Sequence, residues 1–548
     1  MVDDFIFSSV FFVFLISNVG LCNALLAPQR PSLLPKMKEF ASTINPLYEF
    51  VVWVFLKTQY YATPNNAKDL LINWPKYYDQ WWRSLLREVP QHIFIETCLI
   101  MFIIWLLFIR RTVDPKKSAK NEKLSDKEIN WLVETWQPEP LVPSLTDKQL
   151  AISGGMMIVE SMNGNYLNVK GIKAKILNLS SLDFLGMGSN LNVKKSSLDA
   201  LDVYGCGSCG PRGFYGTIDQ HLKIEDAVAK FMGTEQAIAY SDGASAVSSA
   251  IPAFCKRGDL LVVDEACGEP VLTGCNLSRS TIHYFSHNNP NDLEELLMKI
   301  AEDDKRLRRN PADQRRFIIV EGLYRNTGEI CNLPKILEIK QRFCYRLIVD
   351  ESTSFGAIGA TGRGITEHFG IPMTSIEICM IAMDTVLASV GGICIGSREI
   401  VDHQRLSGAG YCFSASSPPF LSAAATTALQ IIEQTPQLLT NLRLNTTYFL
   451  SGLKKIKRLV ALSSPESPII HLAVQPPMAT REEEEEYTMR LARMCIEKGV
   501  GLSSSKFTLV RSPDCLRPTL RICCSSTLSK AQIDDALRGI AEAVASIA

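Results

Sequence analysis

The sequence predicts an α/β protein: a mostly parallel central sheet flanked by helices, a smaller C-terminal α+β part after it, and one N-terminal membrane helix ahead of both. Three observations carry this expectation. Short apolar runs end in an acid, with Leu260–Val263 before Asp264, Phe317–Val320 before Glu321 and Leu347–Val349 before Asp350, as strands buried on both faces do. From Tyr166 onward such runs alternate with helical stretches, which favours parallel pairing. An apolar run from Ile93 to Ile109 approaches the length of a bilayer span and is followed at once by Arg110, Arg111, Lys116, Lys117, Lys120, Lys123 and Lys127.

Composition agrees with a large globular body. The 548 residues carry 57 Lys+Arg against 57 Asp+Glu, with 46% hydrophobic and 21% charged residues, which excludes a disordered chain and gives no electrostatic footprint for nucleic acid. The 16 cysteines are scattered along a long chain, a pattern of reduced cytosolic thiols rather than of a disulfide framework.

Taken in order, residues 1–90 form an N-terminal extension to which no chemistry is assigned. Its apolar run 5–27 has acids, Asp3 and Asp4, where a signal peptide has bases, and reads as an atypical signal, a second span or a misplaced gene start. Residues 91–111 are the expected transmembrane helix, with Glu96 close enough to its N-terminal end to reach headgroups. The basic cluster after it puts the C-terminal body in the cytosol. Residues 112–165 are a basic linker, containing a helical stretch Leu124–Glu134 and the helix-breaking TWQPEPLVP of Thr135–Pro143. A large domain is expected over 166–420 and a small C-terminal domain over 421–548, whose charge run Glu482–Glu486 reads as a solvated helix face.

The three strand-end acids mark the expected ligand crevice, because open α/β sheets bind beyond the carboxyl ends of their strands. The loop Tyr204–Gly216, YGCGSCGPRGFYG, holds both a GxGxxG and a CxxC match. A dinucleotide site needs a strand before the first glycine, but helical SSLDALDVY precedes it, and a zinc site needs a second ligand pair. What remains is a loop whose backbone can approach a ligand closely, with Arg212 available for an anion. His221 and Glu225 follow at i, i+4 as an expected surface pair, and no metal site is expected.

With VVDEACGEP, IIVEGLYRNTG, LIVDESTSFGAIGATGRG and DHQRLSGAGYCFSASSPP, this loop resembles the α-oxoamine synthases, pyridoxal-phosphate-dependent enzymes that join an amino acid to an acyl-coenzyme A. The likeness covers roughly residues 135–548 and implies the fold type I architecture of pyridoxal-phosphate transferases. Within the family, WQPEPLVP, CGPRGFYGT and DHQRLSGAGYCFSAS resemble the serine palmitoyltransferases.

The resemblance also shows where this chain departs. The family's Schiff-base lysine lies six residues before a Gly-Gly pair; here the pair is Gly391–Gly392, and the position holds Thr385. No lysine occurs between Lys340 and Lys454. A threonine hydroxyl cannot form an imine. The family's ring-stacking histidine falls on Gly268 and its second histidine on Thr353, while Asp350, the pyridinium partner in active relatives, remains as a vestigial cofactor residue. Family enzymes are dimers with shared sites, which implies that Cys209, Arg212, Phe214, Tyr215, Tyr411, Phe413, Ser414 and Ser416 line a cleft with a partner. The implied function is a non-catalytic, membrane-anchored subunit. Its partner would be a catalytic subunit 2-type chain carrying covalently bound pyridoxal phosphate, and together they would condense L-serine with palmitoyl-coenzyme A to 3-oxosphinganine at the endoplasmic reticulum membrane, alongside small regulatory membrane subunits. The alternatives are a regulatory scaffold with no active-site contribution and a self-sufficient acyltransferase.

Overall fold

The computed structural model describes residues 157–504 and 516–547, the segments 98–107 and 124–138, and a few isolated positions between 76 and 146. The apolar run 5–27, Glu96 and the basic residues from Arg110 to Lys123 lie outside the described residues. The chain divides into two compact units, Met1–Ser144 and Leu145–Ala548.

In the first unit, residues 98–107 are helical and every one of them is exposed, including Leu99, Phe102, Ile103 and Trp105. Among the described residues no helix is long and apolar enough to cross a membrane. A second helix, Asp126–Thr135, starts where Ser125 can cap it: the Ser125 hydroxyl accepts from the Glu128 N–H, and the Glu128 carboxylate accepts from the Ser125 N–H at 2.8 Å. It ends at Thr135, just before the proline-rich segment.

The second unit opens with strands β1 (Val159–Asn163), β2 (Tyr166–Val169) and β3 (Ile176–Asn178), an antiparallel meander. The large sheet follows: β4 (Gln236–Tyr240), β5 (Leu260–Asp264), β6 (Thr281–Phe285), β7 (Arg316–Glu321), β8 (Arg346–Asp350), β9 (Ile378–Ala382) and β10 (Gly392–Gly396), in the order β4-β10-β9-β8-β7-β5-β6. The pairs β6–β5, β5–β7, β7–β8 and β8–β9 are parallel, and every residue of β5, β7 and β9 is buried. Strand β10 is antiparallel to both neighbours, so the sheet is mixed. Chain length explains the exception: the link 383–391 is shorter than the roughly dozen residues a parallel crossover needs.

A third sheet contains β11 (Leu459–Ala461), β12 (Ile469–Val474), β14 (Ser503–Ser504) and β15 (Leu520–Cys523), while β13 (Val500–Gly501) pairs back with β3. The expected junction at Leu421 falls inside the helix Pro419–Gln434, which packs on the helices Leu191–Tyr204 and Asp219–Met232. The glutamate run begins the helix Arg481–Glu497. Glu482, Glu483 and Glu486 are exposed, but Glu484 is buried and accepts from Arg517 Nε at 2.8 Å, so the run is not wholly a solvated face.

Candidate active-site crevice

Parallel pairing carries the three strand-end acids to one edge of the large sheet. Asp264, Glu321 and Asp350 end the adjacent strands β5, β7 and β8, Glu321 is in register with Asp350, and all three are buried. Asp264 is held from four directions: its carboxylate accepts from the Ala266 N–H at 2.8 Å, the Asn288 N–H at 2.7 Å and the Tyr324 hydroxyl at 2.9 Å, and bonds His287 Nδ1 at 3.0 Å. The other imidazole nitrogen meets the Thr327 hydroxyl at 3.0 Å. Burial opposes a charge on His287, yet the bond to Asp264 and the nearby carboxylates of Glu329 and Glu321 outweigh it and raise the imidazole above its ordinary value.

Glu321 accepts from the Gly268 N–H and, at 3.1 Å, from the Arg325 N–H; burial and then the neighbouring Asp350 push its carboxyl up to about 8. Asp350 accepts from the Ser352 N–H at 2.9 Å. Burial raises its carboxyl, the Ser352 bonds oppose the rise, and Asp384 adds to it.

The positions at which the family resemblance expects cofactor chemistry converge on this edge. Thr385 follows β9, is buried, and donates its hydroxyl to the Ser352 carbonyl at 3.0 Å, so one residue bridges it to Asp350. Thr353 donates to the Leu323 carbonyl, and a side chain at Gly268 would start 3.0 Å from Glu321 Oε1. None of the three side chains can form an imine or stack on a pyridine ring. Lys340 is at the other edge of the sheet: its ammonium meets the Ser375 carbonyl and Glu377, both at 2.7 Å, and Glu377 also accepts from the Leu347 N–H at the start of β8. The donor set at this crevice therefore does not fit covalently held pyridoxal phosphate.

The glycine-rich loop leaves a helix, not a strand: Leu191–Tyr204 ends at Gly205, whose φ of 74° suits glycine. Sequence reasoning misjudged its polar residues. Arg212 is not available for an anion; it is buried, with Nη1 2.9 Å from Glu225 Oε1 and Nη2 3.1 Å from Glu225 Oε2. Glu225 also accepts from the Ala239 N–H at 2.8 Å. His221 and Glu225 are not a surface pair, since both lie on the buried face of Asp219–Met232. His221 Nδ1 accepts from the Ile218 N–H at 3.1 Å and Nε2 meets the Ser417 carbonyl at 2.8 Å; burial lowers the imidazole's affinity for a proton.

Of the eight expected cleft residues, the fold brings the two segments together through Ser416, whose N–H donates to the Gly210 carbonyl at 2.9 Å while its own carbonyl accepts from Ser208 at 2.8 Å. Tyr411 is buried against Arg212, the guanidinium 5.5 Å from its ring centre. Cys209 is exposed and Ser414 half-buried. Phe214, Tyr215 and Phe413 are 75, 92 and 86% exposed, so three aromatic rings stand in solvent beside this junction. Sequence reading missed His287 and Tyr324, whose only local signal is that each follows the end of a strand.

These features agree with what the chain resembles. The aminotransferase class I and II family model matches residues 174–540. Serine palmitoyltransferase 1 of Dictyostelium discoideum is 37% identical over 83% of this chain and 94% of that protein. The chain belongs to the serine palmitoyltransferase 1 family. Long chain base biosynthesis protein 1 of Arabidopsis thaliana, another member, is 40% identical over 73% of this chain and 81% of its own length. Among solved structures, serine palmitoyltransferase from S. paucimobilis with a bound PLP–myriocin aldimine superposes with a TM-score of 0.66 at 23% identity, over 73% of this chain and 96% of that one. An 8-amino-7-oxononanoate synthase from Francisella tularensis gives 0.56 at 24% identity, over 68% and 98%. The fold of the body is thus that of the pyridoxal-phosphate-dependent aminotransferases, and the family places the chain in sphingolipid synthesis.

Proposed function

We propose that this chain is a non-catalytic, membrane-anchored subunit of a serine palmitoyltransferase. It would pair with a separate catalytic chain that holds pyridoxal phosphate on its own lysine, and together they would condense L-serine with palmitoyl-coenzyme A to 3-oxosphinganine. One observation supports the reading: the position that the family resemblance gives to the imine-forming lysine holds Thr385, whose buried hydroxyl bonds the Ser352 carbonyl one residue removed from Asp350. The paired segments 205–216 and 411–418, with Phe214, Tyr215 and Phe413 in solvent, supply the surface that would border the partner's site. Anchoring would run through residues 91–111, of which 98–107 form an exposed apolar helix, with the body cytosolic at the endoplasmic reticulum. Asn178, Asn276 and Asn445 would then carry no sugar, and glycosylation of any of them in cells would overturn the topology.

The deciding experiment compares the full chain purified alone with the chain co-purified with a candidate catalytic subunit, assayed with serine and palmitoyl-coenzyme A. Turnover and the visible absorbance of a lysine-bound cofactor are expected only in the mixture; both from this chain alone would overturn the reading. The cleft assignment has its own test. Cys209→Phe, at an exposed position, should change the complex's turnover or its choice of amino acid while assembly is retained. Unchanged kinetics in the purified complex would remove Cys209 from the cleft and favour a scaffold.

A further inference from the structure

We propose that the crevice of this chain is closed to a phosphorylated cofactor by two carboxylates, Asp242 and Asp384, and not solely by the missing lysine. A ligand beyond the carboxyl ends of an α/β sheet places its phosphate at a helix N-terminus, where free N–H groups and the helix dipole favour an anion. The helix that opens against the end of β9, three residues before Thr385, is Gly243–Phe254, which starts directly after β4. Its first residue is pressed against the end of β9: a Cβ on Gly243 would lie 2.9 Å from Ala382 Cβ and 3.5 Å from Asp384 Oδ1. Asp384 is the residue before Thr385, and its charge is felt by Asp350.

The N-terminus of this helix already has an anion of its own. Asp242 is the N-cap, accepting from the Ser245 N–H at 2.8 Å through Oδ1 and from the Ser245 hydroxyl through Oδ2. A phosphate brought here would lose the Ser245 donors and face Asp242 and Asp384 with its own charge of about −1.5 to −2. Arg325, the cation that Asp350 senses, is exposed as Asp384 is, but it follows β7 rather than lying at the helix terminus. Restoring an amine at position 385 would leave this repulsion in place.

The test uses the full chain in detergent, without a partner, and pyridoxamine phosphate as a non-covalent probe in equilibrium dialysis. Asparagine caps helices as well as aspartate, so Asp242→Asn/Asp384→Asn should keep the wild-type melting transition. It should bind the probe at least about tenfold more tightly than the wild type. Asp242→Ser, also a cap, should show part of the same gain. Unphosphorylated pyridoxamine should gain nothing. Equal affinities in the wild-type and double-variant chains overturn the proposal, and so does an equal gain for the unphosphorylated probe. Only a second arm rests on the reading of Thr385 as the vacated lysine position. In it, Thr385→Lys is introduced into both backgrounds, and pyridoxal phosphate is trapped with borohydride. Labelling at 385 only in the double-asparagine background supports the proposal. Full labelling in the otherwise wild-type background overturns the carboxylate block and leaves the lysine reading standing. No labelling in either, with the affinity gain present, supports the block and moves the fault to the reading of Thr385.

Discussion

Asp264 and Asp350 end parallel strands of one sheet and are both buried, yet their surroundings have little else in common. Asp264 is bonded by two backbone N–H groups, a tyrosine hydroxyl and an imidazole held above its usual pKa, so its negative charge is solvated by the protein. Asp350 accepts from Ser352 and is pushed toward its neutral form by burial first, with the charge of Asp384 adding to it. A buried carboxylate with a full set of donors can keep its charge, whereas one with few is driven to hold a proton. The difference teaches that one sheet edge can tie one acid fully into the scaffold and leave its neighbour short of donors.

The largest expected effect comes from deleting each acid in turn. Asp264→Ala would strand the His287 imidazole, the Tyr324 hydroxyl and two backbone donors in a buried position, at a cost of about 3–5 kcal/mol. Asp350→Ala would remove one acceptor and relieve the Asp384 repulsion, for a net change within about 1 kcal/mol. Urea unfolding of the full chain measures both. Similar losses in the two variants would erase the contrast.

The pH dependence separates the same two acids more finely. His287 is raised in the fold, so its contribution is complete below its unfolded value of 6.5 and is lost as pH rises through the raised value. Asp350 is also raised. The native state therefore holds a proton that the unfolded chain has released, and stability declines as pH climbs from 3.8 through the raised value. Both sides weaken with rising pH, in different windows. His287→Asn should flatten the decline that starts near neutrality, and Asp350→Asn the one that starts in acid, read as denaturation midpoints across pH 4 to 9, roughly spanning both windows. Part of the neutral-window slope belongs to Glu321, whose carboxyl burial pushes up to about 8, so a slope wholly unchanged by His287→Asn would show that Asp264 does not hold a protonated imidazole.

What the sequence disclosed follows the range of each signal. Strand-end acids were legible because an apolar run closed by an acid is local. Polar residues with distant partners were not. The i, i+4 spacing of His221 and Glu225 shows that they share a helix face but not that this face turns inward, because Arg212 and Ser417 complete them from separate segments. His287 escaped notice for the same reason: its partners Asp264 and Thr327 are 23 and 40 residues away. Glu484 looked like one more solvated glutamate until Arg517, 33 residues on, reached it. The antiparallel β10 was readable in principle, since a link as short as 383–391 forbids a parallel crossover.

The smallest expected effect tests whether Thr385 does anything beyond filling its place. Its hydroxyl donates to the Ser352 carbonyl, and the Ser352 N–H in turn donates to Asp350, so Thr385 is the outermost member of the Asp350 side. Thr385→Val keeps the shape and removes that bond together with the longer one to the Ala382 carbonyl at 3.5 Å, leaving a half-buried carbonyl without this donor; the expected cost is about 1 kcal/mol, seen as a small shift of the unfolding midpoint. The same substitution should leave serine and palmitoyl-coenzyme A turnover in an assembled complex unchanged, because a residue that only packs and bonds its own backbone has no route to the partner's chemistry. A fall in kcat larger than the loss of stability explains would place the Thr385 hydroxyl in a working site, and the contrast between the two acids would then have to be drawn again.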